Sequence, residues 1–197
     1  MKGQCGKVRV LAGKRRGVML KSRRGLATRP LQARVKKSLF SILAPRISDC
    51  AFLDLFAGSG NVGIEALSQG ARSCWFVEKD KQSVRLIRDN VAKCAFTQFS
   101  KIVSRDVISF LEKPSFDTTL FDIVFVGAPY GKQLADETLR TLSRWNNVKD
   151  TLLIVTETHR RDPLSDSYGA LRVVREEAYS QTILRFYTYT SPPSSPS

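Results

Sequence analysis

A short apolar run ends in an acidic residue and passes at once into a glycine-rich turn, Asp54-Leu55-Phe56-Ala57-Gly58-Ser59-Gly60. Glycines at positions 58, 60 and 63 leave the backbone free to lie directly against a ligand. The carboxylate of Asp54 at the lip of this pocket repels phosphate and attracts an ammonium group. The pattern therefore predicts a pocket for a nucleoside that carries an amino acid rather than a diphosphate.

From residue 50 onward, apolar segments typical of strands alternate with amphipathic segments typical of helices. The predicted strands lie at 51–55, 73–77, 101–103, 121–126 and 152–156. Two further strands, at 171–174 and 182–189, have no helix between them. This order predicts an α/β fold in which a parallel sheet is closed by an antiparallel hairpin.

Three of the first four predicted strands end at a carboxylate, namely Asp54, Glu78 and Asp106, and the fourth runs into the turn 127–130. Ligands of open α/β sheets bind outside the carboxyl ends of the strands. Glu78 is placed to accept hydrogen bonds from both hydroxyls of a ribose. Asp106 is placed to meet the exocyclic amine of an adenine, although the same residue also suits the N-cap of a helix.

The glycines also satisfy a second motif, because Gly58-x-Gly60-x-x-Gly63 with Glu78 about 20 residues further on matches the dinucleotide fingerprint. An NAD-binding oxidoreductase is therefore an alternative. Asp54 argues against it, because its carboxylate would face the diphosphate, and no second domain for a hydride acceptor is present. The pocket is better suited to S-adenosylmethionine.

Positive charge is concentrated at the start of the chain. Residues 1–48 contain 14 Lys or Arg and no Asp or Glu, so the whole formal net charge of +14 lies in this segment. Such one-sided charge is typical of a surface that binds a phosphate backbone. A membrane is a weaker candidate partner, because the segment lacks a Trp- or Leu-rich amphipathic face. A hairpin is predicted near 7–20, followed by a helix that begins near Pro30, ends at Pro45 and keeps Lys36 off its apolar face.

The remaining composition sets limits on function. The chain of 197 residues is long enough for one large domain, and it contains no apolar run of about 18 residues and no signal peptide, so a cytoplasmic protein is expected. Four dispersed cysteines and a single histidine, His159, do not make a zinc site or a nucleophile–histidine pair. We expect reduced thiols and a surface position for His159.

The blocks Arg9-Val-Leu-Ala-Gly13, Gly25-Leu-Ala-Thr-Arg-Pro30, Asp54-Leu-Phe-Ala-Gly-Ser-Gly60 and Val77-Glu-Lys-Asp80 occur in one chain. With them, the chain resembles the bacterial small-subunit (16S) ribosomal RNA guanine-N2 methyltransferase family over nearly its whole length. The resemblance implies a Rossmann-like class I S-adenosyl-L-methionine-dependent methyltransferase fold with a seven-stranded, mostly parallel sheet. It also implies transfer of a methyl group to the exocyclic N2 of a guanine in small-subunit ribosomal RNA.

Site residues follow from the motifs together with this resemblance. The expected cofactor-binding residues are Asp54, Phe56, Ala57, Gly58, Ser59, Gly60, Glu78, Lys79, Asp106 and Val107. The expected catalytic turn is Gly127, Ala128, Pro129 and Tyr130, and the expected RNA-binding residues are Lys14, Arg15, Arg16, Arg23, Arg24, Arg29 and Arg34. We expect residues 1–48 to form the basic extension, 49–190 the methyltransferase domain and 191–197 a disordered Ser/Pro-rich tail. The expected partner is ribosomal RNA or the assembled 30S particle, bound by a monomer without a metal.

One motif departs from the family pattern. The family carries Asp-Pro-Pro-Tyr after the fourth strand, whereas this chain reads Gly127-Ala128-Pro129-Tyr130. Acceptors beside a guanine amino group help it to become pyramidal and nucleophilic, and the aromatic ring stacks on the flipped base. The departure leaves two readings open, a slower enzyme or a cofactor- and RNA-binding protein that has lost catalysis. Glu157 is either a replacement acceptor or a solvated residue at a strand end.

Overall fold

A β-hairpin and a helix precede the main sheet in the described part of the chain. The structure, a computed structural model, describes residues 5–23, 32–112, 120–131, 133–145 and 148–190. Strands β1 (Cys5–Arg9) and β2 (Met19–Arg23) pair antiparallel around a turn of 3-10 helix at Gly13–Arg15. Helix α1 (Ala33–Ile47) follows. The predicted hairpin and helix of the basic extension are therefore present.

Strands and helices alternate through the middle of the chain, as the hydrophobic pattern predicts. The elements are β3 (Ala51–Leu55), α2 (Asn61–Ser68), β4 (Ser73–Glu78), α3 (Lys81–Lys93), β5 (Ser100–Ser104), α4 (Val107–Glu112), β6 (Ile123–Val126), α5 (Leu134–Leu142) and β7 (Leu153–His159). Three antiparallel strands complete the sheet, β8 (Ser167–Tyr168), β9 (Leu171–Tyr179) and β10 (Thr182–Tyr189).

The strand order is β5-β4-β3-β6-β7-β10-β9-β8. Strands β3 to β7 pair in parallel, and β10 joins β7 in the antiparallel direction. This confirms the predicted mostly parallel sheet with a C-terminal antiparallel hairpin. The two-residue strand β8 adds an eighth strand at the edge, too short to leave a hydrophobic pattern in the sequence.

Two apolar layers cover the faces of the sheet. One layer joins the hairpin and helices α1, α2 and α3 to the sheet, and the other joins α4 and α5 to its opposite face. Val10 and Leu20 of the hairpin are fully buried in the first layer. The basic extension therefore shares the core of the domain that follows it.

Helix α1 differs from its prediction at two positions. Lys36 is fully buried and forms an ion pair of 2.7 Å with Glu65, because positions 36, 40, 43 and 47 share the face that packs on α2. Pro45 lies inside the helix rather than at its end. The last turn persists because Ile47 is buried and Arg46 Nη1 donates to the carbonyl oxygen of Thr151 at 3.0 Å.

The described cysteines agree with the prediction, because Cys50, Cys74 and Cys94 are buried free thiols. Other predictions concern residues that the structure does not describe. The helix entry at 28–30, Arg24, Arg29, the side chain of Arg23 and the tail 191–197 lie outside the described residues. Within the described ranges, no helix is both long enough and apolar enough to cross a bilayer.

Candidate active site

The carboxyl ends of the parallel strands bring the predicted site residues to one edge of the sheet. Leu55 of β3 pairs with Val77 of β4 on one side and with Val126 of β6 on the other, and Val126 in turn pairs with Thr156 of β7. The glycine-rich loop and the turn after β6 therefore leave neighbouring strands at the same level. The predicted cofactor and catalytic residues are adjacent in space.

The glycine-rich loop depends on left-handed backbone. Gly58 and Gly60 have φ of 58° and 74°, and Phe56, which is not a glycine, has φ of 59°. A Cβ at Gly58 would meet no atom nearer than the Phe56 carbonyl oxygen at 3.9 Å, so at Gly58 the loop presents bare backbone to open space. This is a surface on which a ligand can lie, and it fits a nucleoside cofactor.

Asp54 occupies a different position from the exposed lip that its sequence context suggests. Its side chain is buried, and Oδ2 accepts a hydrogen bond of 2.9 Å from the amide of Gly63. Burial raises the pKa of Asp54 to about 7, nearby Glu78 adds to the rise, and the Gly63 hydrogen bond opposes it. A buried carboxylate with a raised pKa is stabilised in its charged form by a cation placed beside it.

Glu78 holds the backbone on both sides of it. Its Oε2 accepts from the amide of Gly58 at 2.9 Å, and its Oε1 accepts from the amide of Asp80 at 2.8 Å. Each carboxylate oxygen has two lone pairs, so acceptor capacity for ribose hydroxyls remains. Glu78 thus shapes the glycine-rich loop, and its contact with a ribose stays a prediction.

Asp106 is the N-cap of a helix, which was the second of the two interpretations of this residue. Its Oδ1 accepts from the amides of Ile108 and Ser109 at the start of α4, as an N-cap does, and its Oδ2 accepts from Lys79 Nζ at 3.0 Å. Burial raises the pKa of Asp106, but the Lys79 hydrogen bond and the two amides outweigh it, so the pKa lies below its ordinary value. Val107 is buried beside it. Contact with an adenine stays a prediction.

Asn90 also supports the loop, a role that is not among the sequence-based predictions. It is buried on α3, and its amide group donates to the carbonyl oxygens of Ser59 at 2.9 Å and Lys21 at 2.8 Å. Its Oδ1 accepts from the amide of Lys21 at 2.9 Å. The available signal was an amide in the apolar stripe of α3, next to Val91.

The turn after β6 is built close to the sheet. The amide of Gly127 donates to the carbonyl oxygen of Leu55 at 3.2 Å, and Ala128 is buried. A Cβ at position 127 would lie 2.9 Å from Cε1 of Phe125, so an aspartate there requires that buried ring to shift. Tyr130 is 41% exposed and presents its ring at the edge. The turn therefore offers an aromatic surface and backbone carbonyls.

Glu157 is buried, so the interpretation of this residue as a solvated residue at a strand end is wrong. It is 9% exposed, and its Oε1 accepts a hydrogen bond from the hydroxyl of Tyr130. His159, the last residue of β7, is half-buried with its ring centroid 5.5 Å from that of Tyr130, instead of lying on the open surface. Asp162 Oδ2 accepts from the amide of Gly131 at 2.7 Å. These contacts join the turn after β6 to the end of β7.

The predicted RNA-binding residues divide into two groups. Lys14, Arg16 and Arg34 are exposed. Arg15 instead donates from Nε to the carbonyl oxygen of Cys94 at 2.6 Å and lies over the ring of Phe96. Its contact with Cys94 places the 13–17 turn at the C-terminal end of α3, one helical turn beyond Asn90, which contacts the glycine-rich loop at Ser59.

Comparison with known proteins agrees with this architecture. A model of the family described as "Conserved hypothetical protein 95" matches residues 8–188. The chain is 36% identical over 161 residues to ribosomal RNA small subunit methyltransferase D of Haemophilus influenzae, covering 81% of this chain and 82% of that protein. It is 32% identical over 182 residues to the protein of the same name from Escherichia coli K12, covering 92% and 90%. The solved structure of Escherichia coli yhhF superposes with a TM-score of 0.80 at 31% identity, covering 93% and 98%.

Proposed function

The chain belongs to the family of ribosomal RNA small subunit methyltransferase D, and we propose that it transfers a methyl group to the exocyclic N2 of a guanine in small-subunit ribosomal RNA. The methyl donor is S-adenosyl-L-methionine. The observation that carries the proposal is the adjacency of two turns. Gly127 donates its amide to Leu55, so the base-facing turn starts beside the glycine-rich loop.

The residues of the glycine-rich half hold the donor. Asp54 offers a buried carboxylate to the cationic amino-acid part, Glu78 offers acceptors to the ribose, and the backbone of 56–60 lies along the ligand. When bound, S-adenosyl-L-methionine supplies an electrophilic methyl group on a sulfonium. The protein contributes proximity and orientation, which together can supply a large part of the rate.

The residues of the other half hold the base. Tyr130 supplies a half-exposed ring on which a flipped guanine stacks. The amino nitrogen forms the new bond to carbon with its lone pair, the carbon–sulfur pair returns to sulfur, and one amino proton leaves. No metal or covalent enzyme intermediate is required for this balance.

The exposed basic residues contact the RNA at a distance from the target base. Lys14 and Arg16 flank Arg15, which contacts Ser68 at the end of α2 and Cys94 at the end of α3, so they bind phosphates beyond the glycine-rich loop rather than at the flipped guanine. Arg15 mainly fastens the turn to α3 through Cys94 and Phe96. The RNA surface therefore extends along the face made by the hairpin, α2 and α3.

Methyl transfer to small ribosomal subunits that lack the modification tests the function. Tritiated donor is incubated with the protein and with either the assembled particle or its naked RNA, and the modified nucleoside is mapped by mass spectrometry. We expect N2-methylguanosine at one site. Calorimetry with S-adenosylhomocysteine and with NAD is run in parallel.

The outcomes separate three classes of protein. Binding of S-adenosylhomocysteine with no methyl transfer, even in long single-turnover reactions, would identify a cofactor- and RNA-binding protein whose altered turn at Gly127 has ended catalysis. Binding of NAD in place of S-adenosylhomocysteine would identify an oxidoreductase. A methyl group on another base or another guanine position would retain the enzyme and reject the assigned target atom.

Loss of one phosphate contact should flatten the salt dependence of RNA binding. Arg16→Ala and Lys14→Ala should each lower the slope of log K against log salt by about 0.7 to 0.9, because each contact releases counterions. Arg144→Ala removes an equally exposed charge beside α5, on the opposite face of the sheet, and serves as the matched control. Fluorescence anisotropy with a labelled rRNA fragment measures the slopes. Equal slopes for Arg16→Ala and Arg144→Ala would reject the extended surface.

A further inference from the structure

Glu157 stands level with the altered turn on the neighbouring strand. Val126 pairs with Thr156 in parallel register, so the next residues, Gly127 and Glu157, lie side by side where the two strands reach the active-site edge. Leu153 and Val155 pack in the same apolar layer as Phe125, and the alternation of a strand puts Glu157 on that face too. A carboxylate is therefore present next to the position from which the family's aspartate is missing.

The contacts of Glu157 tie it to the base-stacking ring. The Tyr130 hydroxyl donates to one carboxylate oxygen, which fixes the group beside the ring. His159 supports the ring from the side, and Asp162 holds the amide of Gly131, so the turn and the carboxylate form one unit. A carboxylate has about four acceptor positions, so the bond from Tyr130 leaves others for a substrate.

We propose that Glu157 is the hydrogen-bond acceptor for the target guanine, receiving its N2 amino group and its N1–H in place of the missing aspartate. This inference rests on the proposed function and names the group that makes the base nucleophilic. Glu157 is then a catalytic residue supplied by β7, and Tyr130 has two tasks, stacking on the base and orienting the carboxylate.

The chemistry of the base edge favours guanine at such a site. Guanine presents N1–H and N2–H as two adjacent donors, which match the two oxygens of one carboxylate. Adenine presents a single amino group beside N1, an acceptor that repels a carboxylate, and cytosine has the same arrangement at N4 and N3. Because Glu157 is buried, a mismatched base leaves the carboxylate with Tyr130 as its donor and without the two donors of guanine, which lowers the affinity for that base.

The methyl-transfer step balances with Glu157 as the proton acceptor. The nitrogen lone pair forms the nitrogen–carbon bond, the carbon–sulfur bond breaks with its electron pair on sulfur, and the surplus N2 proton passes to the carboxylate and then to water. Burial raises the pKa of Glu157 above its ordinary value, while the Tyr130 hydrogen bond opposes the rise. A raised pKa makes the carboxylate a stronger base for this transfer.

A purely structural role would make different predictions. If Glu157 only held Tyr130 in place, Glu157→Gln and Tyr130→Phe would have similar effects, since each changes the same hydrogen bond. If Glu157 contacts the base, Glu157→Gln should lower the single-turnover rate on undermethylated small subunits by about 10²–10³-fold. Tyr130→Phe keeps the ring and should cost about tenfold or less. Glu177→Gln, a carboxylate in the same cross-strand row of the sheet, should change nothing.

Base selectivity provides a readout that does not depend on turnover. Saturation-transfer NMR with S-adenosylhomocysteine present compares the binding of GMP, IMP and AMP to each variant. The native protein should prefer GMP to AMP by about fivefold or more, with IMP between them because it lacks only the amino group. Glu157→Gln and Glu157→Asp should reduce this preference, whereas Tyr130→Phe keeps both the stacking ring and the carboxylate and should retain most of it. Melting curves and S-adenosylhomocysteine affinity verify that each variant is folded.

The results distinguish this inference from the function on which it rests. A native protein that methylates guanine, with a Glu157→Gln rate within about fivefold of native or an unchanged GMP preference, overturns the role of Glu157 and leaves the function intact. A native protein that prefers GMP but transfers no methyl overturns the proposed function and retains the base contact. Loss of both rate and GMP preference in Glu157→Gln, with both retained in Glu177→Gln, supports the inference.

Discussion

The two halves of the active-site edge hold their carboxylates in different ways. In the cofactor half, Asp54 and Glu78 accept hydrogen bonds from backbone amides of the loop that they shape. In the base half, Glu157 accepts from a side chain, the hydroxyl of Tyr130. A carboxylate that accepts from backbone amides fixes the path of the loop, so its position in the sequence relative to that loop cannot change. A carboxylate bonded to a side chain can be supplied by another strand, and the proposed role of Glu157 beside Gly127 depends on this freedom.

The largest expected effect comes from breaking the buried ion pair that supports the cofactor half. Glu65 on α2 pairs with buried Lys36 at 2.7 Å and accepts from the amides of Leu11 and Ala12. Glu65→Gln leaves the lysine charge buried without its partner and should lower the free energy of unfolding by about 3–5 kcal/mol. Urea denaturation measures it.

An exposed ion pair gives the matched control for that change. Lys21 and Asp89 are 58% and 56% exposed at 3.0 Å, so Asp89→Asn should cost less than about 1 kcal/mol. If Glu65→Gln costs no more than Asp89→Asn, the buried pair does not anchor the hairpin to α2. The attachment of the hairpin to α2 would then have to depend on the apolar contacts of Val10 and Leu20 instead.

Two glycines, one in each half, test which half is more tightly packed. A Cβ at Gly63 would lie 2.4 Å from Cε1 of Phe76 and 2.5 Å from Sγ of Cys74, whereas a Cβ at Gly127 would lie 2.9 Å from the Phe125 ring only. Gly63→Ala should therefore cost about 1–3 kcal/mol of unfolding free energy, and Gly127→Ala should cost less. Thermal unfolding with and without S-adenosylhomocysteine ranks them. A larger cost for Gly127→Ala would reverse the comparison.

The same contrast explains what could be predicted from the sequence. The strand and helix order and the glycine-rich loop depend on periodicities and turn residues that are local in the chain, so the sheet and most of its elements were predicted. Lys36 with Glu65, and Tyr130 with Glu157, are pairs whose partners are 29 and 27 positions apart. Each of their residues has an ordinary local context, and only the packing of strands and helices reveals that they meet. Asn90 was missed for the same reason.

The smallest expected effect is a pH dependence confined to the cofactor half. Burial, with a smaller effect of Glu78, raises the pKa of Asp54 to about 7, so the free protein holds a proton on this carboxyl at mildly acid pH. A cationic ligand favours the charged form, so binding releases that proton, and affinity increases as the pH rises through 7. For a pKa of 7, the gain between pH 6.5 and 7.5 is about threefold.

Calorimetry with S-adenosylhomocysteine measures both quantities in one experiment. Affinity is followed across this pH range, and proton release is obtained from the dependence of the enthalpy on the ionisation enthalpy of the buffer. Asp54→Asn keeps an acceptor for the Gly63 amide but cannot titrate, so it should bind more weakly and without pH dependence. Glu157→Gln lies in the other half and should retain the native pH dependence. A flat native profile would show that no ligand charge approaches Asp54, and that this carboxyl serves the loop alone.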